Sequence, residues 1–172
     1  MPTVIRLRSW RGLLINLCIL ATAAFLGIMS WLIASPSATR LHETLPGERI
    51  TFAANPEIDV SLDTDSSVTV SDTHPPHIEL LRGNAYFDVR GANPGTLQIK
   101  VGTAHIRDLG TRFTISKHPG GGSVAVASGQ IEIRIGNNMY LVGAHERADF
   151  SNTNIIGQRV IPDADIAPWR RR

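Results

Sequence analysis

Beyond Pro36 the chain alternates apolar and polar residues with period two. Ile58, Val60 and Leu62 are interleaved with Asp59 and Ser61, Val68 and Val70 follow, and Ala85, Phe87 and Val89 flank Tyr86 and Asp88. The rhythm returns at Leu97, Ile99 and Val101, at Phe113 and Ile115, and at Val124 and Val126. It continues at Ile131, Ile133 and Ile135 and at Tyr140 and Val142. Successive side chains of a strand point to opposite faces, so this pattern predicts half-buried strands. Turn formers punctuate it: Asn55-Pro56, Asp63 to Ser66, His74-Pro75-Pro76-His77, Gly91 to Gly95, Pro119 to Gly122 and Gly136-Asn137-Asn138. No stretch here carries an amphipathic helix of ten or more residues. Short strands so spaced predict an all-β domain of meandering or stacked strands, sandwich-, barrel- or solenoid-like. Its predicted core holds Leu80, Ala85, Phe87, Val89, Ile106, Leu109, Phe113, Ile115, Val126, Ile131 and Ile133.

A weak internal echo runs through these strands. Glu79 to Val89 (ELLRGNAYFDV) and Ala125 to Ile135 (AVASGQIEIRI) each read strand, glycine, alternating strand, and Lys100 to Ile106 is a looser version. Gly83 and Gly129 occupy matching places, where glycine permits a bulge or a positive φ as the chain bends.

Before Pro36 the pattern changes. Leu13 to Ala34 is an uncharged run of 22 residues, about 33 Å of helix against a hydrocarbon core of about 30 Å. Trp10 and Trp31 stand near its ends, Arg6, Arg8 and Arg11 precede it, and Pro36 follows. This predicts one transmembrane helix with a cytoplasmic N-terminus and the rest of the chain outside. The run is longer than the core of a cleaved signal peptide, and neither Ala34 nor Ala38 completes a small-x-small cleavage site. The expected organisation is a cytoplasmic stub at 1–12, a membrane helix at 13–34, a linker at 35–40, a β domain at 41–150 and a tail at 151–172.

Charge adds little to this picture. Of seventeen basic residues three lie ahead of the apolar run, and the other fourteen face fifteen acidic ones. No basic stripe with interleaved aromatics supports nucleic-acid binding. The single cysteine, Cys18, lies inside the apolar run and excludes an intrachain disulfide. No GxSxG, HExxH or Walker motif is present, so the chain is not expected to be an enzyme. No cofactor is expected. His74 and His77 flank two prolines but lack a third ligand at metal-site spacing, so no metal is expected. Asp63 and Asp65 lack the later glycine and glutamate of a calcium loop and are expected to cap backbone N–H groups with Ser66. Glu79, Arg82, Asp88, Arg107, Asp108 and Arg112 alternate with core positions and are expected to decorate strand faces, where some could meet a partner.

Four segments carry a resemblance: Ser61 to Val70 (SLDTDSSVTV), Ile78 to Val89 (IELLRGNAYFDV), Val101 to Ile115 (VGTAHIRDLGTRFTI) and Val124 to Ile133 (VAVASGQIEI). In order and spacing they resemble the FecR-type periplasmic domain over about Leu41 to Phe150, most specifically at Leu109 to Phe113. The resemblance implies a single-span inner-membrane protein of cell-surface signalling. Its expected partner is the periplasmic signalling domain of a TonB-dependent outer-membrane transporter, with an iron-siderophore signal, or a separate sigma-regulating protein. The alternatives are a structural or ligand-binding envelope module and a truncated, non-signalling relic. The stub before the apolar run is too short to bury a core, so the family's cytoplasmic sigma-binding domain is expected to be missing. Ile166 to Trp169 resembles the start of the joint to a C-terminal secretin/TonB-like module, which is likewise expected to be missing. Ala53 to Glu57 (AANPE) replaces the family's Asp-Gly turn with other turn chemistry.

The resemblance also draws attention to Gly110-Thr111, since some members of the family cleave themselves at a Gly-Thr bond in this segment. Thr111 Oγ would attack the Gly110 carbonyl in an N-to-O shift, and the hydroxyl would need local activation. Asp108 and His105 are the nearby candidates. The plain alternative is that Gly110 makes a bend and Thr111 begins a strand. Gly95-Thr96 and Gly102-Thr103 repeat the dipeptide in other contexts.

Overall fold

The computed structural model of the chain describes residues 20–25, 38–90, 95 and 97–171. Contacts divide the chain into Met1–Pro36 and Ser37–Arg172. Of the first unit, residues 20–25 are helical, and the remainder of the expected Leu13 to Ala34 span lies outside the described residues. Among the described residues no helix is long and apolar enough to cross a membrane.

The second unit is all-β, as the alternation predicts. Its strands are β1 (Thr39–Glu43), β2 (Ile50–Asn55), β3 (Ile58–Leu62), β4 (Ser67–Ser71), β5 (His77–Val89), β6 (Gln98–Val101) and β7 (Ala104–Asp108). They continue with β8 (Arg112–His118), β9 (Gly121–Ser128), β10 (Gln130–Ile135), β11 (Asn138–Gly143), β12 (Glu146–Ser151) and β13 (Ile155–Val160). The long β5 belongs to two faces of one sheet. Its first half pairs with β4 and β6, its second half with β3 and β8. The first face runs β1-β4-β5-β6-β7-β10-β11, the second β2-β3-β5-β8-β9-β12-β13. Among these pairings only β5 with β6 is parallel.

Both faces turn their apolar side inward onto one core. Val60, Phe87, Phe113 and Val126 stand opposite one another across β3, β5, β8 and β9. Val70, Ile78, Ile99, Ile106 and Ile133 do the same across β4, β5, β6, β7 and β10. All belong to a single buried cluster. Ten of the eleven predicted core residues are buried. Leu109 is the exception and is only half-buried, because it sits in the turn after β7, where Asp108 takes the last inward position.

The internal echo is a real geometric repeat. β3 and β4 are joined by a turn that carries the chain from one face to the other, and β5 pairs with both by bending at Gly83. β7 and β8 are joined likewise, and β9 and β10 pair with them around Gly129. Gly83 has φ +78° and Gly129 φ +83°. At the hairpin from β2 to β3, Asn55 Oδ1 accepts the Glu57 N–H at 2.8 Å, so the AANPE segment closes as an Asx turn.

The stretch expected as a tail is paired and packed. β13 pairs with β12, and Asp149 receives both Arg147 (2.9 Å) and Arg159 (2.6 Å). Burial alone would raise the pKa of Asp149, but hydrogen bonds from Arg159 and Arg147 outweigh it and hold the carboxyl below its usual range. Two 3-10 turns follow, at Asp163–Asp165 and Pro168–Arg171. Ile161 and Ile166 pack on Ala125. The guanidinium carbon of Arg170 lies 3.7 Å from the centre of the Tyr86 ring.

Candidate functional site

The segment singled out at Gly110-Thr111 forms the corner between β7 and β8. Along β7, Ala104, Ile106 and Asp108 face inward while His105 and Arg107 face outward. Asp108 is thus a carboxylate at a core-facing position, only 1% exposed, and a buried carboxylate needs hydrogen-bond partners. Its Oδ1 accepts the Gly110 N–H at 3.0 Å and the Thr111 hydroxyl. Its backbone is tied as well: the Gly95 N–H donates to the Asp108 carbonyl at 2.6 Å, and the Asp108 N–H to the Leu97 carbonyl at 3.2 Å.

Gly110, at φ +87°, makes the reversal that folds the hydroxyl of Thr111 back onto Asp108. Thr111 is itself 1% exposed, and its carbonyl accepts the Val89 N–H at 3.0 Å. Gly129 lies against the far side of the corner. A Cβ there would overlap the Gly110 carbonyl oxygen and stand 2.6 Å from Thr111 Cγ2. One turn therefore gathers a hydroxyl, a carboxylate that accepts its hydrogen bond, and a glycine carbonyl. That pairing of nucleophile and base is the minimum an acyl shift needs.

Two expectations change here. Asp108 does not decorate a strand face: strand parity turns it inward, and the corner satisfies it. His105 does not reach Thr111, because the same parity puts its ring on the opposite side of β7. The comparison dipeptide Gly102-Thr103 lacks the carboxylate, for the Thr103 hydroxyl donates to the Asn152 carbonyl at 2.6 Å. Thr96 lies outside the described residues.

The corner between β3 and β4 has a parallel construction. Asp63 and Ser66 are spaced as Asp108 and Thr111 are, and Asp65, like Gly110, has positive φ (51°) just before the hydroxyl residue. The carboxylates there were expected to cap backbone N–H groups. Instead Asp63 binds Arg49 Nε at 2.9 Å and Asn84 Nδ2 at 3.3 Å, and Asp65 pairs with Arg82 at 3.1 Å. Only Ser66 caps backbone, accepting the Asn84 N–H at 2.9 Å. Its hydroxyl donates to the Thr64 carbonyl at 3.0 Å rather than to a carboxylate.

The remaining surface residues separate. Glu79 and Arg107 lie on the outside of the first face, while Asp88 and Arg112 stand opposite each other across β5 and β8 of the second. His77 Nδ1 lies 3.2 Å from the Thr73 hydroxyl. Among the described residues no group of three or more His, Cys, Asp or Glu side chains is placed to hold a metal ion.

The FecR protein family model matches residues 40–132. No curated protein matches the chain. Two crystal structures of a "putative anti-sigma factor" from Parabacteroides distasonis share its fold, with TM-scores of 0.63 and 0.65 at 18% identity. The similarity covers 74% and 76% of this chain, but only 62% and 64% of those chains.

Proposed function

Given that the chain belongs to the FecR protein family, we propose that it is a regulator in transmembrane, sigma-factor-linked signalling that acts by binding other proteins. The observation that carries this is the family match from residue 40 to residue 132, which begins within β1 and reaches into β10. The fold shared with the "putative anti-sigma factor" structures is consistent with it. In this reading Leu13 to Ala34 anchors the chain in a bacterial inner membrane, with the N-terminus cytoplasmic and the β unit periplasmic. The apolar run and the arginines ahead of it support that orientation. The partner is the signalling domain of a TonB-dependent transporter or a separate sigma-regulating protein, and the signal is an iron-siderophore complex.

The test pairs topology with output. A C-terminal alkaline-phosphatase fusion should be active and the chain should sediment with membranes. Deleting the chain should change a reporter driven by the cognate sigma factor. A soluble form beginning between Ser35 and Thr39 would remove the anchor, and an unchanged reporter would remove the regulatory role.

The Gly110 corner adds self-processing to this proposal. The Thr111 hydroxyl gives its proton to Asp108 and its oxygen bonds to the Gly110 carbonyl carbon. The Gly110–Thr111 C–N bond breaks, and the departing amine takes the proton from Asp108. Water then opens the ester, leaving a Gly110 carboxylate and a new N-terminus at Thr111. The cut would fall between β7 and β8, each still paired with neighbours. The fragments should therefore stay together under native conditions and separate on a denaturing gel. Thr111→Ala should abolish the cut and Thr103→Ala should retain it. A single full-length mass after prolonged incubation of the parent chain would leave the corner a purely structural role.

A further inference from the structure

The outside of the first face holds a groove of about 790 Å³. Strand register places Glu79, Lys100, His105, Arg134 and Met139 in one transverse row across β5, β6, β7, β10 and β11. His105 therefore stands directly between Lys100 and Arg134, and Arg107 lies two residues further along the same strand, on the same side. Directly opposed side chains on neighbouring strands are about 5 Å apart at Cβ, and the register sets Arg107 opposite Glu132. Two acids serve these cations: Lys100 pairs with Glu79 at 3.0 Å and Arg134 with Glu132 at 2.9 Å. Three cations thus share two anions on three adjacent strands.

Beside this cluster the row ends in apolar surface. Met139 is 57% exposed and Leu141 48% exposed, both on β11, opposite Arg134 and Glu132. Exposed large apolar side chains next to unbalanced charge mark a surface built for a partner. A free phosphate or a polyanion would use the cations and leave this pair idle, whereas a polypeptide uses both.

We infer that the outer face of β6, β7, β10 and β11 binds an acidic segment of a partner protein, its carboxylates over Lys100, Arg107 and Arg134 and an apolar side chain on Met139 and Leu141. This rests on the reading that the chain works by binding another protein, and it names the surface and the chemistry of that partner.

The test uses the full chain in detergent micelles and a fluorescein-labelled Glu-Leu-Glu-Leu-Glu peptide, read by anisotropy. The Gln-Leu-Gln-Leu-Gln peptide and inorganic phosphate are the comparison probes. Lys100→Gln/Arg134→Gln should weaken the acidic peptide about tenfold or more, and Met139→Ser/Leu141→Ser several-fold. Lys117→Gln, on β8 of the other face, should change nothing. Unaltered thermal unfolding of the exposed-site variants separates lost binding from lost fold. Equal affinity for both peptides would overturn the inference. So would full affinity in the Lys100→Gln/Arg134→Gln variant, or displacement by phosphate combined with indifference to Met139→Ser/Leu141→Ser. In cells, a sigma-dependent reporter that responds to deletion of the chain but not to Lys100→Gln/Arg134→Gln would refute this surface and leave the regulator standing. A reporter indifferent to the deletion as well would instead remove the regulatory reading on which the inference rests.

Discussion

Phe87→Ala is expected to bring the β unit close to unfolding. The ring is fully buried and stacks on Phe113 with centroids 5.1 Å apart and planes 21° from parallel. The two residues are direct cross-strand partners at the junction of β5 and β8, with Val60 and Val126 outside them. Removing the ring loses its transfer free energy and leaves a cavity that four paired strands cannot collapse, a cost of about 3–5 kcal/mol. Domains of this size hold about 5–15 kcal/mol in all. With a urea dependence of about 2 kcal/mol per molar, the midpoint should fall by about 2 M. Phe52, only partly buried at the edge strand β2 and stacked on His42, is the natural comparison and should cost much less on truncation to Ala. A Phe87→Ala midpoint within about 0.5 M of the parent would mean that the two rings do not hold the second face to the core.

What the sequence made legible follows from where one strand face is buried. β3, β5 and β10 carry apolar residues at their inward positions and β8 does so at Phe113 and Ile115, so period two announces them. β1 has no fully buried residue and β13 is mostly exposed, so neither carries that signal. They are held by pairing: β1 along five residues of β4, and β13 by β12 and the two arginines on Asp149. β12 places only Ala148 and Phe150 inward, too short a pattern to stand out from its polar neighbours. Asp108 shows the complementary failure. A carboxylate at the end of an alternating strand reads as a solvent-facing residue, because burying it costs several kcal/mol unless it is hydrogen-bonded. The Gly110 N–H and the Thr111 hydroxyl reach it through the reversal at Gly110, which no periodicity encodes. The signal available was the repeated spacing of an Asp and a hydroxyl residue three positions on, each set followed by a glycine that allows the paired strand to bend.

That dependence on glycine gives the second large effect. Gly129→Ala should destabilise the unit by about 2–4 kcal/mol, combining the cost of an alanine at φ +83° with overpacking against atoms that cannot move away. The new Cβ would meet the Gly110 carbonyl oxygen and Thr111 Cγ2, and the first of these is backbone fixed by the hydrogen bonds of the Asp108 corner. Gly136→Ala separates the two terms. Gly136 also has positive φ (58°) but nothing within 4 Å of its missing Cβ, so it should lose only about 1 kcal/mol, the conformational part alone. Equal losses in the two variants, measured by urea unfolding, would show that the corner yields and that the approach of Gly129 to Gly110 is not required. If the losses differ as expected, the same substitution bears on chemistry. Gly129 supports the peptide that the Thr111 hydroxyl would attack, and any shift of Gly110 to admit a methyl group moves that carbonyl relative to Thr111 and Asp108. Acyl transfer tolerates little misplacement of its reacting atoms. A Gly129→Ala chain that remains folded should therefore lose any cut at Gly110-Thr111 while keeping Asp108 and Thr111 intact, whereas Gly136→Ala should lose stability and keep the cut.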